Sequence, residues 1–557
     1  MTQLACWVWD NIPPGFLPQW LNDSAWNGKP TGLYSQEGSS ANWDVIVQQA
    51  NQFSEKNRAV LFSTLQKQTH TWLSVTQQES LQLLQHSNTF TVTTGQQLHF
   101  DLGPAYVLFK ITSAIALSKD LKRRFPHLNF IPVYWLASED HDFQEISTST
   151  IFNKDWKWVQ SNPNPGPVGR MSVDSLMPWL EWLKSFFNNN AQAQSELQNL
   201  SLELKDPHTQ LSGFLQKWIL RIFDHTPLLV LNPDDAELKQ LMVPLFSTEL
   251  ENGTLQSWVA EQNARIRDLN LEAEAYVRRV NLFYLNNEIR ERIEFNDGQF
   301  HALVSGKKWS NVQILQELSD FPERFSPNVL LRPLYQQTIL PNVAYVAGPS
   351  EYKYWLQIHT ALENCELTVP ALVLRKSGVF LSENQLKKLL KWDISLWDLF
   401  AETNDSLQQL ILEKSSQKFN LDNDVKKLSM DLEAVYSQLF TYKSEFLKSF
   451  KQQGDRLIGE LNKIARLERE QSVKRSISDQ EWQSIQNLKQ SIANASNPQE
   501  RSYPWIQEYI KDPSGFKQLI DLLVVETIEN SISDINSSSE IPNSTYFDCP
   551  FQIIQSR

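Results

Sequence analysis

Cysteine is scarce in this 557-residue chain, and the three present, Cys6, Cys365 and Cys549, lie far apart. Their number and spacing exclude a disulfide framework and a zinc knuckle, and none sits in a motif that would mark a nucleophile. Positive charge is also in deficit. Fifty-one Lys and Arg against 64 Asp and Glu leave a formal net charge of -13, which argues against nucleic acid as a partner while leaving room for local basic pockets that take anionic metabolites. No apolar run approaches the ~20 residues that span a bilayer. The start, Met1-Thr2-Gln3-Leu4-Ala5-Cys6-Trp7, lacks the basic segment and apolar core of a secretory signal, so a cytoplasmic protein with no membrane association is expected. Missing too is the phosphate-cradling G-x-x-x-x-G-K-[ST] loop.

What is present is apolar surface. Hydrophobic residues make up 41% of the chain, with 19 Trp and 29 Phe, mostly core material, although Trp-rich interiors can also cradle flat or sugar-like ligands. The length exceeds the roughly 100–200 residues of one domain, so a large core with inserted or appended modules is expected.

The organising stretch runs from Phe90 to Phe152. A β-branched run, Thr91-Val92-Thr93-Thr94, breaks into Gly95-Gln96-Gln97. Gly103-Pro104 then opens a segment, Ala105 to Arg124, whose apolar residues Val107, Leu108, Ile111, Ile115, Leu117 and Leu121 recur at helical spacing. Lys122, Arg123 and Arg124 suit the negative end of the helix dipole, and Pro126 stops it. Phe130 to Leu136 is too short for a helix and reads as a buried parallel strand, ending in Ser138-Glu139-Asp140-His141-Asp142. Strand, helix and strand make a βαβ unit whose ligands gather outside the carboxyl ends of the strands. Gln96, Gln97 and the Glu139 to Asp142 cluster should therefore share one crevice.

Around this unit, residues 1 to about 88 read as mostly helical after a loop-rich start at Pro13-Pro14-Gly15 and Lys29 to Gly32. Asn162 to Gly169 is too rich in breakers for a regular element and marks the entrance to an insertion. Trp179 to Phe223 reads as helical with a polar interval, Leu228 to Leu231 as a short strand ending in Asn232-Pro233-Asp234-Asp235, and Glu237 to Glu274 as helical. Val280 to Leu285 and Ile289 to Phe295 predict an antiparallel hairpin about Asn286-Asn287, closed at its far end by Asn296-Asp297-Gly298 and lying over the crevice. Val343 to Ala347 is strand-like, and Gly348-Pro349-Ser350-Glu351 turns it into a helix that Ser350 is placed to cap. Such a turn offers free N–H groups to an anion. Arg332, Gln336 and Gln337 precede it on a helical stretch, and Ala371 to Leu374 is a strand whose basic end, Arg375-Lys376-Ser377, suits a phosphate or carboxylate.

From Glu383 the composition shifts to long polar helices. Val425, Leu428, Leu432, Val435, Leu439, Tyr442 and Phe446 follow a seven-residue repeat that slips at Phe450 and resumes at Leu457, Leu461 and Ile464. With an apolar helix over Leu386 to Leu412, joined near Ser415-Ser416-Gln417, this predicts a helical hairpin that either seeks a copy of itself, giving a homodimer, or packs on its own chain. The tail after Ser472 returns to the core through Asn497 to Arg501, and Phe551 to Ile554 reads as an edge strand.

These residues resemble a known family. Thr94-Gly95-Gln96-Gln97, Gly103-Pro104, Lys110 and, above all, Trp135 through Glu145 are similar to the signature of the cysteine-adding enzymes of bacillithiol biosynthesis, the BshC family. Ser326 to Val329, Leu331-Arg332-Pro333, Gln336, Gly348 to Glu351 and Tyr354-Trp355 resemble its second motif block. The resemblance implies an α/β fold: a Rossmann-like, nucleotidyltransferase-type core in two halves, residues 1–160 and 311–382. It also implies connective-peptide insertions over 161–310, a coiled-coil domain over 383–475 that builds a homodimer, and a C-terminal segment, 476–557, returning to the core. The implied reaction is amide formation between the carboxyl of L-cysteine and the amine of glucosaminyl malate, the last step of bacillithiol synthesis. The site residues carried over are Gln96, Gln97, Glu139, Asp140, His141, Asp142, Asn328, Arg332, Gln336, Glu351 and Arg375.

Side-chain chemistry suggests roles for them. His141, flanked by carboxylates, is a candidate general acid or base with Asp140 or Asp142 orienting it; the same Glu139 to Asp142 cluster could bind Mg²⁺ or cap the next helix instead. Arg332 is a candidate clamp for the malate carboxylates, with an ordinary salt bridge as the alternative. Gln96, Gln97, Asn328, Gln336, Ser350 and Glu351 are candidate substrate contacts, though for Gln96 and Gln97 loop-stabilising bonds compete. Arg375 and Lys376 are candidates for nucleotide binding. Amide formation from a free carboxylate is uphill in water, so ATP is the expected activator, although the His-x-Gly-His element of class I aminoacyl-tRNA synthetases is missing. Another ATP-dependent ligase or nucleotidyltransferase, or a non-catalytic coiled-coil scaffold, are the competing readings.

Overall fold

The fold is described from a computed structural model, over residues 2–7, 33–36, 41–69, 71–160, 166–206, 208–269, 271–392, 394, 396–399, 404–414, 421–441, 446–492 and 498–533. The described residues divide into two compact units: one holds those from 2 to 380 and from 500 to 533, the other those from 381 to 499.

Five parallel strands form the centre of the first unit, in the order Ala371–Leu374, Asn342–Ala347, Thr89–Gln97, Asn129–Ala137, Leu229–Leu231. Numbered along the chain, that order is 5-4-1-2-3, the arrangement of a Rossmann sheet, with its topological switch between Thr89–Gln97 and Asn342–Ala347. The expected βαβ unit is its heart: helix Ala105–Arg124 joins two strands paired in unbroken register from Thr89 opposite Asn129 to Gln97 opposite Ala137. The first strand does not break at Gly95, as the glycine suggested. It continues to Gln97 because a side chain is what the site cannot accept: a Cβ on Gly95 would meet Trp135 at 3.0 Å.

The threonines of that strand do more than favour extended backbone. Thr91 and Thr93 donate to the buried Asn342 side chain at 3.3 and 2.7 Å, and Thr94 donates to the Val346 carbonyl at 2.8 Å. These bonds cross between the two strands at the switch and hold their register, since a slip would strand several buried polar groups at once. Phe90, Val92, Ala114, Leu121, Phe130, Val343 and Val346 pack around them as the core, with helix Trp43–Ala50 against it. Helix Pro513–Ser533 packs on Ala105–Arg124, so residues 500–533 belong to the first unit, whereas residues 476–499, expected to return to the core with them, belong to the second.

The expected hairpin is part of something larger. Leu282–Leu285 and Arg290–Asn296 pair as predicted, but in an antiparallel sheet of five strands ordered Lys308–Trp309, Gln299–Ala302, Arg290–Asn296, Leu282–Leu285, Phe325–Pro327. The Asp297-Gly298 turn, both residues at positive φ, leads into the third strand, as an Asp-Gly hairpin should. The added strands are two to four residues long, and one carries a proline, so no alternation announced them. A further hairpin, Thr148–Ile151 with Lys154–Lys157, turns on Phe152 and Asn153 at positive φ, without the glycine that usually signals it. Strand Thr2–Trp7 also lies in a stretch that reads as helical.

In the second unit the helix expected over 386–412 is broken into Glu383–Trp392, Leu396–Leu399 and Asn404–Lys414. Both Asn404–Lys414 and Leu421–Thr441 pack on the long helix Leu447–Ser476, and Tyr436, not Val435, is buried, its ring edge-on to Phe450 at 5.7 Å. Helix Asp479–Ile492 completes this unit. The expectations for Pro13 to Gly15, Lys29 to Gly32, Asn162 to Pro165, Ser415 to Gln417 and Phe551 to Ile554 lie outside the described residues. Among the described residues no helix is long and apolar enough to cross a membrane.

Gly95→Ala is expected to cost about 1–3 kcal/mol through its collision with Trp135. Gly213→Ala, in helix Leu211–Ile222 with nothing within 4 Å of its new methyl, should instead gain up to about 1 kcal/mol. Denaturant unfolding of the two variants should move in opposite directions.

Candidate active site

A cavity of about 520 Å³ opens at the carboxyl ends of the central strands, within the range of small-molecule sites. Gly95, Gln96 and Gln97 end one strand; Trp135, Ala137, Glu139 and Asp140 end its neighbour; Tyr345, Glu351 and Tyr354 come from the strand-to-helix turn. Arg332 enters at the start of helix Arg332–Ile339, and the antiparallel sheet closes the cavity with Leu282, Phe283, Arg290 and Arg292.

The acidic loop after Trp135 is held by cations. Lys239, fully buried, pairs with Glu139 at 2.5 Å and Asp234 at 3.1 Å, and Arg170 grips Asp234 through two bonds of 2.6 and 2.7 Å. Burial pushes Glu139 above the ordinary carboxylate range, with Lys239 opposing and Asp234 adding to the rise. Burial works against the Asp234 charge as well, yet Lys239 and Arg170 win and hold its pKa down to about 2. Asp140 is likewise lowered despite its burial, by His141, the Arg290 charge and the Gln97 amide, which donates to it at 2.5 Å.

Arg290 ties the antiparallel sheet to this loop. Its guanidinium lies 4.0 Å over the Phe283 ring, donates to Ser326 Oγ and the Pro327 carbonyl, and reaches Asp140 at 3.6 Å. His141 Nδ1 sits between Arg290 Nη1 at 3.1 Å and Asp140 Oδ1 at 3.4 Å. Because arginine can only donate, this nitrogen is the acceptor of the Arg290 contact.

The opposite wall is aromatic and basic. Arg332 donates to Gln336 Oε1 and to the Tyr354 hydroxyl, both at 3.0 Å, and lies over the rings of Trp135 and Tyr345. Among the described residues no carboxylate stands within ion-pair distance of Arg332, Arg278 or Arg292, whereas Glu139, Asp140 and Glu351 each have a cation: Lys239, Arg290 and Lys110. The cavity is thus left with positive charge to offer.

Of the residues singled out from the sequence, Gln96, Gln97, Glu139, Asp140, Asn328, Arg332 and Glu351 line this one cavity. His141 stands behind Asp140, and Asp142 caps the short helix Phe143–Ile146 by accepting from the Glu145 N–H. Gln336 is buried behind Arg332. Ser350 is exposed within helix Pro349–Gln357 rather than at its cap; the cap is Gly348, whose N–H donates to Glu351 at 2.7 Å, so the anion at this helix start is the chain's own carboxylate. Arg375 and Lys376 are buried away from the lining. Arg375 forms a two-bond pair with Glu500 at 2.5 and 2.9 Å, and Lys376 donates to the Leu523 carbonyl, in each case binding the C-terminal segment to the sheet. Those partners lie more than a hundred residues downstream, beyond any local reading.

From the sequence no site role falls to Arg278, Arg290, Arg292 or Tyr345, nor to Tyr354, which entered only as part of the second motif block. A signal existed for two of them: Arg290 and Arg292 alternate with the buried Glu291 and Ile293, which puts both arginines on one face of their strand. Among the described residues no three His, Cys, Asp or Glu side chains are arranged to hold a metal ion.

A family model described as the N-terminal Rossmann-like domain of bacillithiol biosynthesis BshC matches residues 25–376, and another, its C-terminal coiled-coil domain, matches residues 378–533. Relatives carrying the name "Putative cysteine ligase BshC" are similar over most of their length. That of Flavobacterium johnsoniae is 32% identical over 482 residues, which is 86% of this chain and 89% of its own. That of Flavobacterium psychrophilum is 33% identical over 72% of this chain and 76% of its own, and that of Christiangramia forsetii 32% identical over 78% and 80%.

The low Asp234 pKa has a consequence for acid stability. An unfolded aspartate titrates near ~3.9, so the depressed native value stabilises the fold above that pH, and the contribution is lost as the pH falls toward about 2. Denaturant midpoints followed from neutral pH to about pH 2 should show wild type and Asp234→Asn converging at the acid end.

Proposed function

The chain belongs to the BshC family of bacillithiol biosynthesis, and from that membership we propose that it is a ligase joining the carboxyl of L-cysteine to the amine of glucosaminyl malate. The observation that carries this reading is the cavity at the sheet's switch point, where, among the described residues, Arg332, Arg278 and Arg292 have no carboxylate of their own while aromatic rings supply flat walls. Guanidinium groups pair with carboxylates through two parallel bonds, so a dicarboxylate such as malate matches what the site offers. Arg332 is the central clamp, already stacked on Trp135 and Tyr345 and steadied by Gln336 and Tyr354.

The amine must lose a proton as it attacks. Glu139 faces the cavity, burial raises its pKa above the ordinary carboxylate value against the pull of Lys239, and it is the candidate base for that proton. His141, with Nδ1 between Arg290 and Asp140, stands behind Asp140 as the second candidate acid or base.

ATP is the activator in this proposal. Arg278 and Arg292 would hold its phosphates, and the nucleotide supplies the leaving group that turns a carboxylate into an acyl donor. The Glu139 to Asp142 cluster fits Mg²⁺ poorly, because Lys239 and Arg290 already neutralise Glu139 and Asp140 while Asp142 serves as a helix cap. A metal would enter with the nucleotide rather than reside on this loop.

A cytoplasmic homodimer completes the reading. Phe446, Phe450, Leu457, Ile464 and Leu467 are exposed at near-heptad spacing along the long helix of the second unit, the pattern a partner helix would cover.

Purified protein given cysteine, glucosaminyl malate and ATP should form the thiol product with release of AMP or ADP, and no product with any of the three omitted. Arg332→Met should raise KM for glucosaminyl malate roughly 10- to 100-fold, the worth of a charged hydrogen-bond pair, with little change in KM for cysteine. An equal loss on both substrates would remove Arg332 from the malate subsite.

A further inference from the structure

Three bonds converge on the ammonium of Lys110, a residue of helix Ala105–Arg124 that is almost completely buried. It donates to the Gly95 carbonyl at 2.6 Å and to Gln96 Oε1 at 2.8 Å, and it pairs with the Glu351 carboxylate. A lysine ammonium has three protons and no acceptor, so these partners use it completely. The acceptors come from both sides of the topological switch: Gly95 and Gln96 end one central strand, and Glu351 follows the other. Glu351 is itself fixed, accepting from the Tyr345 hydroxyl and the Gly348 N–H, both at 2.7 Å. Lys110 is therefore anchored to a rigid frame and does not swing toward a ligand.

The chemical consequence falls on Gln96. Lysine cannot accept a hydrogen bond, so only the amide oxygen of Gln96 can face it, and the Nε2 group must turn the other way. Gln96 lines the cavity, which makes that amide a donor toward the ligand. Its neighbour is fixed in the opposite sense: Gln97 spends Nε2 on Asp140 at 2.5 Å and keeps its oxygen. Two consecutive glutamines thus present opposite polarities, and the buried charges behind them set which is which.

We propose that Lys110 is a positioning residue for the ligation, holding Gln96 so that its Nε2 donates to the acyl oxygen on which negative charge develops. The inference rests on the ligase reading above and deepens it. With cysteine carried as an acyl phosphate or acyl adenylate, the amine nitrogen forms a bond to the carbonyl carbon and the C=O π pair moves onto oxygen. As the carbonyl reforms, the phosphate or AMP leaves with its bonding pair and the amine gives up a proton to a base. A preset donor at the oxygen acts on the charged intermediate more than on the ground state.

Gln96→Glu tests this directly. The new carboxylate still accepts from Lys110, so the frame survives, but no N–H remains for the acyl oxygen. The expected result is a fall in kcat of roughly 100-fold, the usual loss on removing one such donor, with KM for cysteine and glucosaminyl malate nearly unchanged and thermal unfolding close to wild type. Lys110→Met, where it folds, should show the same selective loss in kcat. The double variant should lose no more than the worse single, because both act through one amide. Multiplying losses would make Lys110 a structural ion pair and overturn the proposal, as would a Gln96→Glu enzyme within about twofold of wild-type kcat. If Lys110→Met does not fold, Gln96→Glu alone decides. Wild-type protein that makes no amide from cysteine, glucosaminyl malate and ATP would overturn the ligase reading itself, and this inference with it, whereas an active wild type with an equally active Gln96→Glu overturns only this inference.

Discussion

The pairing of Thr89–Gln97 with Asn342–Ala347 is the contact on which the rest of the first unit depends. These neighbours are separated by more than two hundred residues, and their connections run to opposite sides of the sheet, so a crevice must open where their ends part. Thr91, Thr93, Thr94 and Asn342 hold the pairing from within by buried hydrogen bonds. The Lys110 and Glu351 pair spans the same junction where it opens into the cavity. A one-residue slip between these strands would unsatisfy the buried polar atoms and misplace Gln96 together.

Charge is managed in two ways around the crevice. The carboxylates that shape the site, buried at Glu139 and Asp234 and half-buried at Asp140 and Glu351, each receive a cation, because an unpaired charge withdrawn from water is costly. Arg332 on the facing wall is stacked on rings and tied to neutral groups, and among the described residues neither it nor Arg278 nor Arg292 receives a carboxylate. That asymmetry leaves an anion as the natural complement of the cavity, even though the chain as a whole carries a net charge of -13.

The antiparallel sheet is joined to the acidic loop chiefly through Arg290, which packs on Phe283 within its own sheet and reaches across to Asp140 and His141. One side chain thereby couples the lid of the cavity to its floor.

Much of this is legible in the sequence alone. The βαβ unit from Phe90, the strand at Val343 and the hairpin at Val280 follow from local rules, periodicity and turn chemistry, and those rules act over a few residues wherever the chain goes. The acidic strand end and Arg332 were legible as chemistry for the same reason: unusual polar residues at strand ends stand out in an apolar context. What the sequence could not determine is partnership across distance. Only the folded chain gives Arg375 its mate in Glu500, puts Gly348 rather than Ser350 at the helix cap, buries Tyr436 in place of Val435, and delivers Lys110 to the back of Gln96. The reason is physical: a side chain's type is written in the sequence, but whether its charge faces a ligand or a buried counter-ion depends on which remote segment the sheet's topology sets beside it.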